Sequence, residues 1–415
     1  MTVESEPVVI VGAGLAGLVC ARELHRAGRP FLIIEAADDV GGRIRTDIVE
    51  GFRLDRGFQV LLTAYPAARD QFDYATLNLK PYVNGSLIRR NGRFHRLADP
   101  WRRPLDGIKS VFGGVGSFAD KLRIAKLRRA SQRGSIADLF QQPEQTTAAA
   151  LTGYGFSAEM IDAFFRPFLG GVFLERALNT SSRVLHFVFR MFSQGDVAVP
   201  ALGMQELPKQ IAANLPADNI RLNTSVTSIT PTSVTLSDGS NINASRVVLA
   251  TGAHVAHQLL NQEPQPSQRV RCLYFATDKP PVNEPILVLN GDGSGPINNL
   301  CVPSIVSNDY APSGQHLISV SVVDAEHIDS QTLEADVRSQ AADWFGSSTI
   351  EPWRLLAEYD IPHALPNQTN GTSATPGRAT ESNDVIVCGD HVGNASIQSA
   401  LESGLDAARL LNQSS

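Results

Sequence analysis

Cysteine is scarce in this chain: Cys20, Cys272, Cys301 and Cys388 are scattered, and no C-x-x-C pair occurs. Such spacing supports neither a disulfide framework nor a zinc site, so no metal is expected and a reducing, cytoplasmic setting is. Long apolar runs are also missing, and nothing approaches the ~20 uninterrupted residues of a membrane-spanning helix. The opening stretch MTVESEP is short and acidic and leads straight into a strand, which argues against a secretory leader. Positive charge is not in excess, and a net charge of −6 argues against a general nucleic-acid binder. No internal repeat, low-complexity tract, catalytic triad or paired carboxylate presents itself. At 415 residues the chain is too long for one core, which points to two or three domains.

What is present is concentrated at residues 8–17, VVIVGAGLAG. Four apolar β-formers predict a buried strand, and Gly12, Gly14 and Gly17 follow in the G-x-G-x-x-G spacing around Ala16. Gly12 allows a tight strand-to-helix turn, Gly14 lets the backbone approach a pyrophosphate, and Gly17 lets the helix pack closely on the strand. Free N–H groups at the helix start then meet phosphate with a favourable dipole. FLIIE at 31–35 reads as a second buried strand. Its terminal Glu35 stands twenty-three residues after Gly12, placed to accept hydrogen bonds from a ribose. The run GGRIRT at 41–46 adds two glycines and then Arg43 and Arg45, a loop whose backbone and guanidinium both suit phosphate. A nicotinamide dehydrogenase needs no second phosphate-facing loop directly after the ribose carboxylate. An extended flavin adenine dinucleotide does.

Helical signals dominate residues 101–194. Between Trp101 and Arg133 nine basic residues face only Asp106 and Asp120, interleaved with Ile108, Val111, Phe112, Leu122, Ile124 and Leu127. This basic amphipathic segment has two readings, a peripheral contact with anionic lipid or a solvated helical face. Further on, Ser157 with Glu159 marks a helix start. The aromatic stripe Phe164, Phe165, Phe168, Phe173, Phe187, Phe189 and Phe192 reads either as core or as the lining of an apolar cavity. PALGMQELPKQIAA becomes helical near Leu207-Pro208, and 219–252 reads as several strands with a tight turn at Asp238-Gly239. Residues 267–365 form a second strand-rich block with one helix, LEADVRSQAADWFG. The strand VIVCGD and a final helix close the chain, repeating at Gly389-Asp390 the phosphate-binding logic of the N-terminus.

Taken in order, GAGLAG, Glu35, GGRIRT, PALGMQELP, VVLATG and GDHVGNASIQSALESG resemble one superfamily: flavin-containing amine oxidases, protoporphyrinogen oxidases and phytoene-type carotenoid desaturases. The resemblance covers essentially the whole chain. It implies an α/β fold: a doubly wound, Rossmann-like FAD-binding domain, discontinuous over 1–85, 195–262 and 380–415. It further implies a helical substrate or cap region at 86–194 and an inserted α+β substrate domain at 263–379. By the same resemblance, Gly12, Gly14 and Gly17 hold the pyrophosphate, Glu35 the adenosine ribose, and Gly42 with Arg43 the phosphates and ribityl chain. Val226 meets the adenine through its backbone, and Gly389-Asp390 binds near the ribityl and phosphates. Gly57-Phe58-Gln59 approaches the isoalloxazine, and Ile397 begins the last helix beneath that ring. FAD is expected to be non-covalent, because Cys388 lies inside the strand before Gly389 and not at the usual attachment position.

Two departures bear on the substrate. Amine oxidases resemble one another in an aromatic residue at the start of the last helix, where this chain has Ser396. They also tend to carry a lysine on the strand corresponding to RVRCLYF; here the nearest is Lys279, beyond it. Ala395, Gln398 and Ser399 stand where relatives often show Gly, Glu and Gly. Oxidation of an apolar substrate to a double bond, with oxygen or a quinone as acceptor, is therefore expected ahead of amine oxidation. A flavin-dependent isomerase and a non-redox lipid carrier, such as the Rab escort and GDP-dissociation inhibitor proteins that resemble this fold, stay open. Among the dispersed histidines, His391 alone is expected near the ring, as a proton shuttle or as a loop side chain.

Overall fold

The computed structural model describes residues 6–98, 115–324, 329, 331–369 and 377–413. The strand expected at the start forms as Val8–Val11, every residue buried. It lies between Phe31–Ile34 and Arg246–Leu249, parallel to both. Strands this uniformly apolar suit a sheet covered on both faces. Ile220–Arg221 extends the sheet on one side, and Val385–Val387 followed by antiparallel Thr380–Ser382 on the other. Segments far apart in sequence thus build one doubly wound sheet. The helices Leu15–Arg26 and Ile397–Gln413 pack against each other over it. Gly17 makes the approach of helix to strand tight: a Cβ there would stand 2.1 Å from the Gly12 carbonyl oxygen.

A second, seven-stranded sheet has the order Arg354–Pro366, Ser267–Thr277, His316–Val323, Asn299–Cys301, Leu287–Asn290, Gly85–Arg90, Arg93–Ala98. Residues 86–98 therefore belong with this sheet, not with the helical region to which the expected boundary assigned them. The reason is a long-range pairing, Leu287 to Asn290 running parallel to Ser86 to Arg89. One side of the sheet packs Leu273, Phe275, Ile318 and Val320 against the helix Leu333–Phe345.

The helical region holds Phe118–Ser131, Thr147–Gly153, Ser182–Gln194 and a continuous run from Ala158 to Phe173 that includes a π-helical turn at Ile161–Phe165. Ser157 caps that run, its hydroxyl accepting from the Met160 amide as its sequence position predicts. Asp120 ties two of these helices together. Its buried carboxylate accepts from the amides and hydroxyls of both Ser117 and Ser157. Burial alone would raise its pKa, but these donors outweigh it and hold the group well below the usual range. Of the basic segment, 101–114 lies outside the described residues. Within the helix Phe118–Ser131, Leu127 is buried, whereas Phe118 and Leu122 are 61% and 58% exposed. The apolar residues thus divide between the two sides of the helix.

Asp55, at the end of the strand Phe52–Asp55, ties the seven-stranded sheet to segments outside it. Its carboxylate accepts from Thr46 Oγ1 (2.5 Å), the Met204 amide (2.9 Å) and Tyr310 Oη (2.8 Å), and its carbonyl accepts from Tyr274 Oη (2.7 Å). Burial pushes its pKa from 3.8 up to about 6 despite those donors. The folded state therefore favours the protonated form. That contribution is fully present below about pH 4 and is lost as the pH rises to about 6. Urea unfolding across this window is expected to show stability falling with pH by on the order of 3 kcal/mol from this group. Asp55→Asn should lower stability throughout and flatten the slope.

Candidate cofactor and substrate cavity

The strand Val8–Val11 delivers the chain into a turn that only a bare backbone can make. Gly12 has φ +108°, and a Cβ on it would sit 2.8 Å from the Ala250 carbonyl oxygen. Glu35, at the end of the neighbouring strand, braces this turn. Its carboxylate accepts from the Ala13 amide (2.7 Å) and from the Ala37 amide (2.9 Å). The second glycine loop then folds back over the first, so that a Cβ on Gly42 would lie 3.5 Å from Gly14 Cα. Arg43 leaves this loop and spans to the far end of the chain, ion-paired with Asp390 and donating to the Ala364 carbonyl at 3.0 Å. Gln59 Nε2 donates to the Arg43 carbonyl (2.8 Å), fixing the loop from behind. The Gly389 amide donates to Ser403 Oγ (2.9 Å), which anchors the last strand to the last helix.

These loops form one end of a cavity of about 1260 Å³. Ligand pockets are commonly about 300–1,000 Å³, so there is room for a dinucleotide and a second molecule. Among the residues marked by sequence, Gly12, Gly14, Ala16, Glu35, Gly42, Arg43, Gly57, Phe58, Gln59, Val226, Gly389, Asp390 and Ile397 all line it. Gly17 does not: its surroundings are the Gly12 carbonyl and the Ala250 side chain, so it serves helix packing and not phosphate contact. His391 is likewise absent from the described lining. Its ring packs beside Gly389, 6.5 Å from the His257 ring, and burial holds its pKa below the ordinary value. The loop reading, not the proton shuttle, fits that placement.

The aromatic stripe divides between its two readings. Phe165 is fully buried core, whereas Phe164, Phe168, Phe189 and Phe192 line the cavity. Phe164 stacks on Phe168 at 5.2 Å, and Phe168 meets Phe192 at 5.2 Å. Of the charged residues in the described lining, the helical region contributes only Arg128, whose guanidinium donates to the Ser193 carbonyl (3.1 Å).

Sequence reasoning missed several lining residues. Tyr82 meets Phe58 edge-to-face at 6.1 Å, and Asn394 is buried with no partner for its Nδ2. Tyr82 carries no motif and arrives through the sheet edge Lys80–Pro81. Asn394 stood inside the quoted GDHVGNAS stretch, and its polarity ahead of a small-residue helix was an available signal. The facing glycine loops and an orphaned buried amide at the far end fit a long, polar-headed cofactor such as FAD.

Known proteins share this fold. A family model described as flavin containing amine oxidoreductase matches residues 15–412. Protoporphyrinogen oxidase 2 of Arabidopsis thaliana is 26% identical over 180 residues, covering 41% of this chain and 33% of that protein. A phytoene dehydrogenase of Streptomyces griseus is 28% identical over 292 residues, covering 62% of this chain and 56% of that protein. The matches thus span a third to just over half of these relatives' lengths. In fold, an oxidoreductase from Methanosarcina mazei superposes with a TM-score of 0.74 at 17% identity, over 97% of this chain and 100% of its own. With the match running nearly from end to end, the chain belongs to the flavin containing amine oxidoreductase family, and the cofactor of that family is FAD.

Proposed function

We propose that this protein is an FAD-dependent oxidoreductase that removes hydrogen from an apolar small molecule, in the manner of a carotenoid desaturase or protoporphyrinogen oxidase. One observation carries the reading: the glycine-loop cradle and the phenylalanine-lined arm are a single continuous cavity. In it, the amides near Gly12, Gly14 and Gly42 and the Arg43 guanidinium hold the diphosphate. Glu35 accepts from the ribose, and the backbone at Val226 meets the adenine. Asp390 positions Arg43, while Gly57, Phe58, Gln59 and Ile397 border the ring. A bound FAD would supply the two-electron acceptance that a dehydrogenation needs, with oxygen or a quinone as the final acceptor. The chain's own part is to orient the substrate and exclude water with Phe164, Phe168 and Phe192.

Two features speak against an amine substrate. Ser396 leaves the cage position without an aromatic ring, and the helical part of the described lining carries a cation, Arg128, and no carboxylate to pair with an ammonium group. Among the described residues no helix is long and apolar enough to cross a membrane. The helix Phe118–Ser131 nonetheless offers Phe118 and Leu122 to its surroundings beside Lys121, Lys126 and Arg129. It forms one wall of the cavity through Ile124 and Arg128. That combination supports a cytoplasmic protein that docks peripherally on anionic lipid and draws its substrate from there.

Mixing the FAD-loaded protein anaerobically with candidate substrates tests the reading. Loss of oxidised-flavin absorbance is expected with a polyene or porphyrinogen and not with simple alkyl amines; the reverse pattern would return the protein to amine chemistry. Arg43→Ala removes a charge-assisted contact worth about 1.5–3 kcal/mol, so the Kd for FAD should rise at least about tenfold. In sedimentation with phosphatidylserine vesicles, the double variant Phe118→Ser, Leu122→Ser should bind about tenfold or more weakly than the parent.

A further inference from the structure

The two faces of the seven-stranded sheet are chemically unlike. Side chains alternate along a strand, and one set, including Leu273, Phe275, Leu300, Ile318 and Val320, is mostly apolar, Arg271 being a buried exception that pairs with Glu358. The intervening set on the same three strands carries the buried polar side chains of Cys272, Tyr274, Asn299, Cys301, Ser319 and Ser321 among Ala276, Leu317 and Val323. Ser86, on a strand further along, is also buried. An aliphatic face would fill the same volume without removing hydroxyls and amides from water, which is costly when they lack partners. A polar face in this position therefore calls for a reason.

Some of its groups satisfy one another. Cys272 Sγ and Ser319 Oγ are 3.5 Å apart. Asn298 Nδ2 donates to Asn299 Oδ1 at 2.9 Å, and Asn299 Nδ2 donates to Ser321 Oγ at 3.3 Å. Ser321 is thereby used as an acceptor while its own proton goes to no described residue. The Ser86 hydroxyl has no described partner. Asn299, Ser321 and Ser86 all line the cavity. They adjoin its apolar arm, because Asn299 Oδ1 lies 3.1 Å from where a side chain on Gly171 would begin, one turn beyond Phe168. The strands Gly85–Arg90, Leu287–Asn290, Asn299–Cys301 and His316–Val323 contribute no charged residue to the described lining.

We infer that Ser321, supported by Asn299, forms a subsite for an uncharged acceptor oxygen, such as a carbonyl, on an otherwise apolar substrate; Ser86 lies three strands away along the same wall. The inference rests on the apolar-substrate reading and narrows it. The Asn299 amide orients the Ser321 hydroxyl so that its proton faces the cavity, and the phenylalanines hold the hydrocarbon body. A charged group is disfavoured because nothing at this wall compensates it.

The test uses the FAD-loaded full chain with Nile red bound, displaced by methyl octyl ketone or by n-decane. A hydrogen bond to a neutral acceptor is worth roughly a five- to tenfold change in affinity. Ser321→Ala should lower the ketone-to-alkane affinity ratio by about that factor and leave the n-decane value unchanged. Ser86→Ala, three strands away, should leave the ratio unchanged, and both variants should match the parent in FAD content. An unchanged ratio in Ser321→Ala would overturn the subsite, the hydroxyl then serving only bound water. Failure of either probe to enter the parent protein would instead sink the apolar-cavity reading, and this subsite with it.

Discussion

The closeness with which the backbone at 12–17 meets its neighbours governs the rest of the molecule. The Gly12 turn abuts the Ala250 carbonyl, the helix rests on the Gly12 carbonyl through Gly17, and the Glu35 carboxylate pulls the Ala13 amide toward the second strand. In these contacts, neither glycine leaves room for a side chain. Because they are satisfied together, unbonded amides at the helix start stay open toward the cavity, where an anion can use them. Asp390 then completes the arrangement from the opposite end of the sequence by neutralising and aiming Arg43. The cofactor cradle is thus a consequence of packing as much as of ligand chemistry.

The remainder of the fold brings walls to that cradle. The seven-stranded sheet supplies a floor whose hidden face is mostly apolar and whose cavity face mixes polar and apolar residues, and the helical region supplies aromatic side chains. Asp55 ties that sheet to neighbouring segments, since its side chain gathers Thr46, Met204 and Tyr310 while its carbonyl takes Tyr274. A group so deeply buried resists ionisation, which links this junction to proton activity. Asp120 has the contrary environment: enough donors surround it that the charged form is the stable one. Burial alone does not set the sign of a carboxyl's shift; the number of donors reaching it does.

Local pattern was a reliable guide where the constraint was local. The glycine spacing, the terminal Glu35, the arginine loop and the Gly389-Asp390 turn are short-range requirements of backbone geometry, and their residues meet in one cavity. It failed where the deciding contact was remote. Residues 86–98 carry too much charge to read as interior strands, yet Ser86 to Arg89 pair with Leu287 to Asn290. The phenylalanine stripe could not be divided into core and lining from spacing alone, because that depends on which neighbours cover each ring.

By itself, then, the sequence determined that both chain ends build a dinucleotide cradle, since glycines and a carboxylate at fixed offsets impose the same turn wherever they occur. Only tertiary structure decided that His391 lies away from the lining and that Ser321, Asn299 and Ser86 share one wall. Those outcomes depend on strands far apart in the chain choosing neighbours and register. A one-residue shift would turn the polar set away from the cavity and the aliphatic set into it.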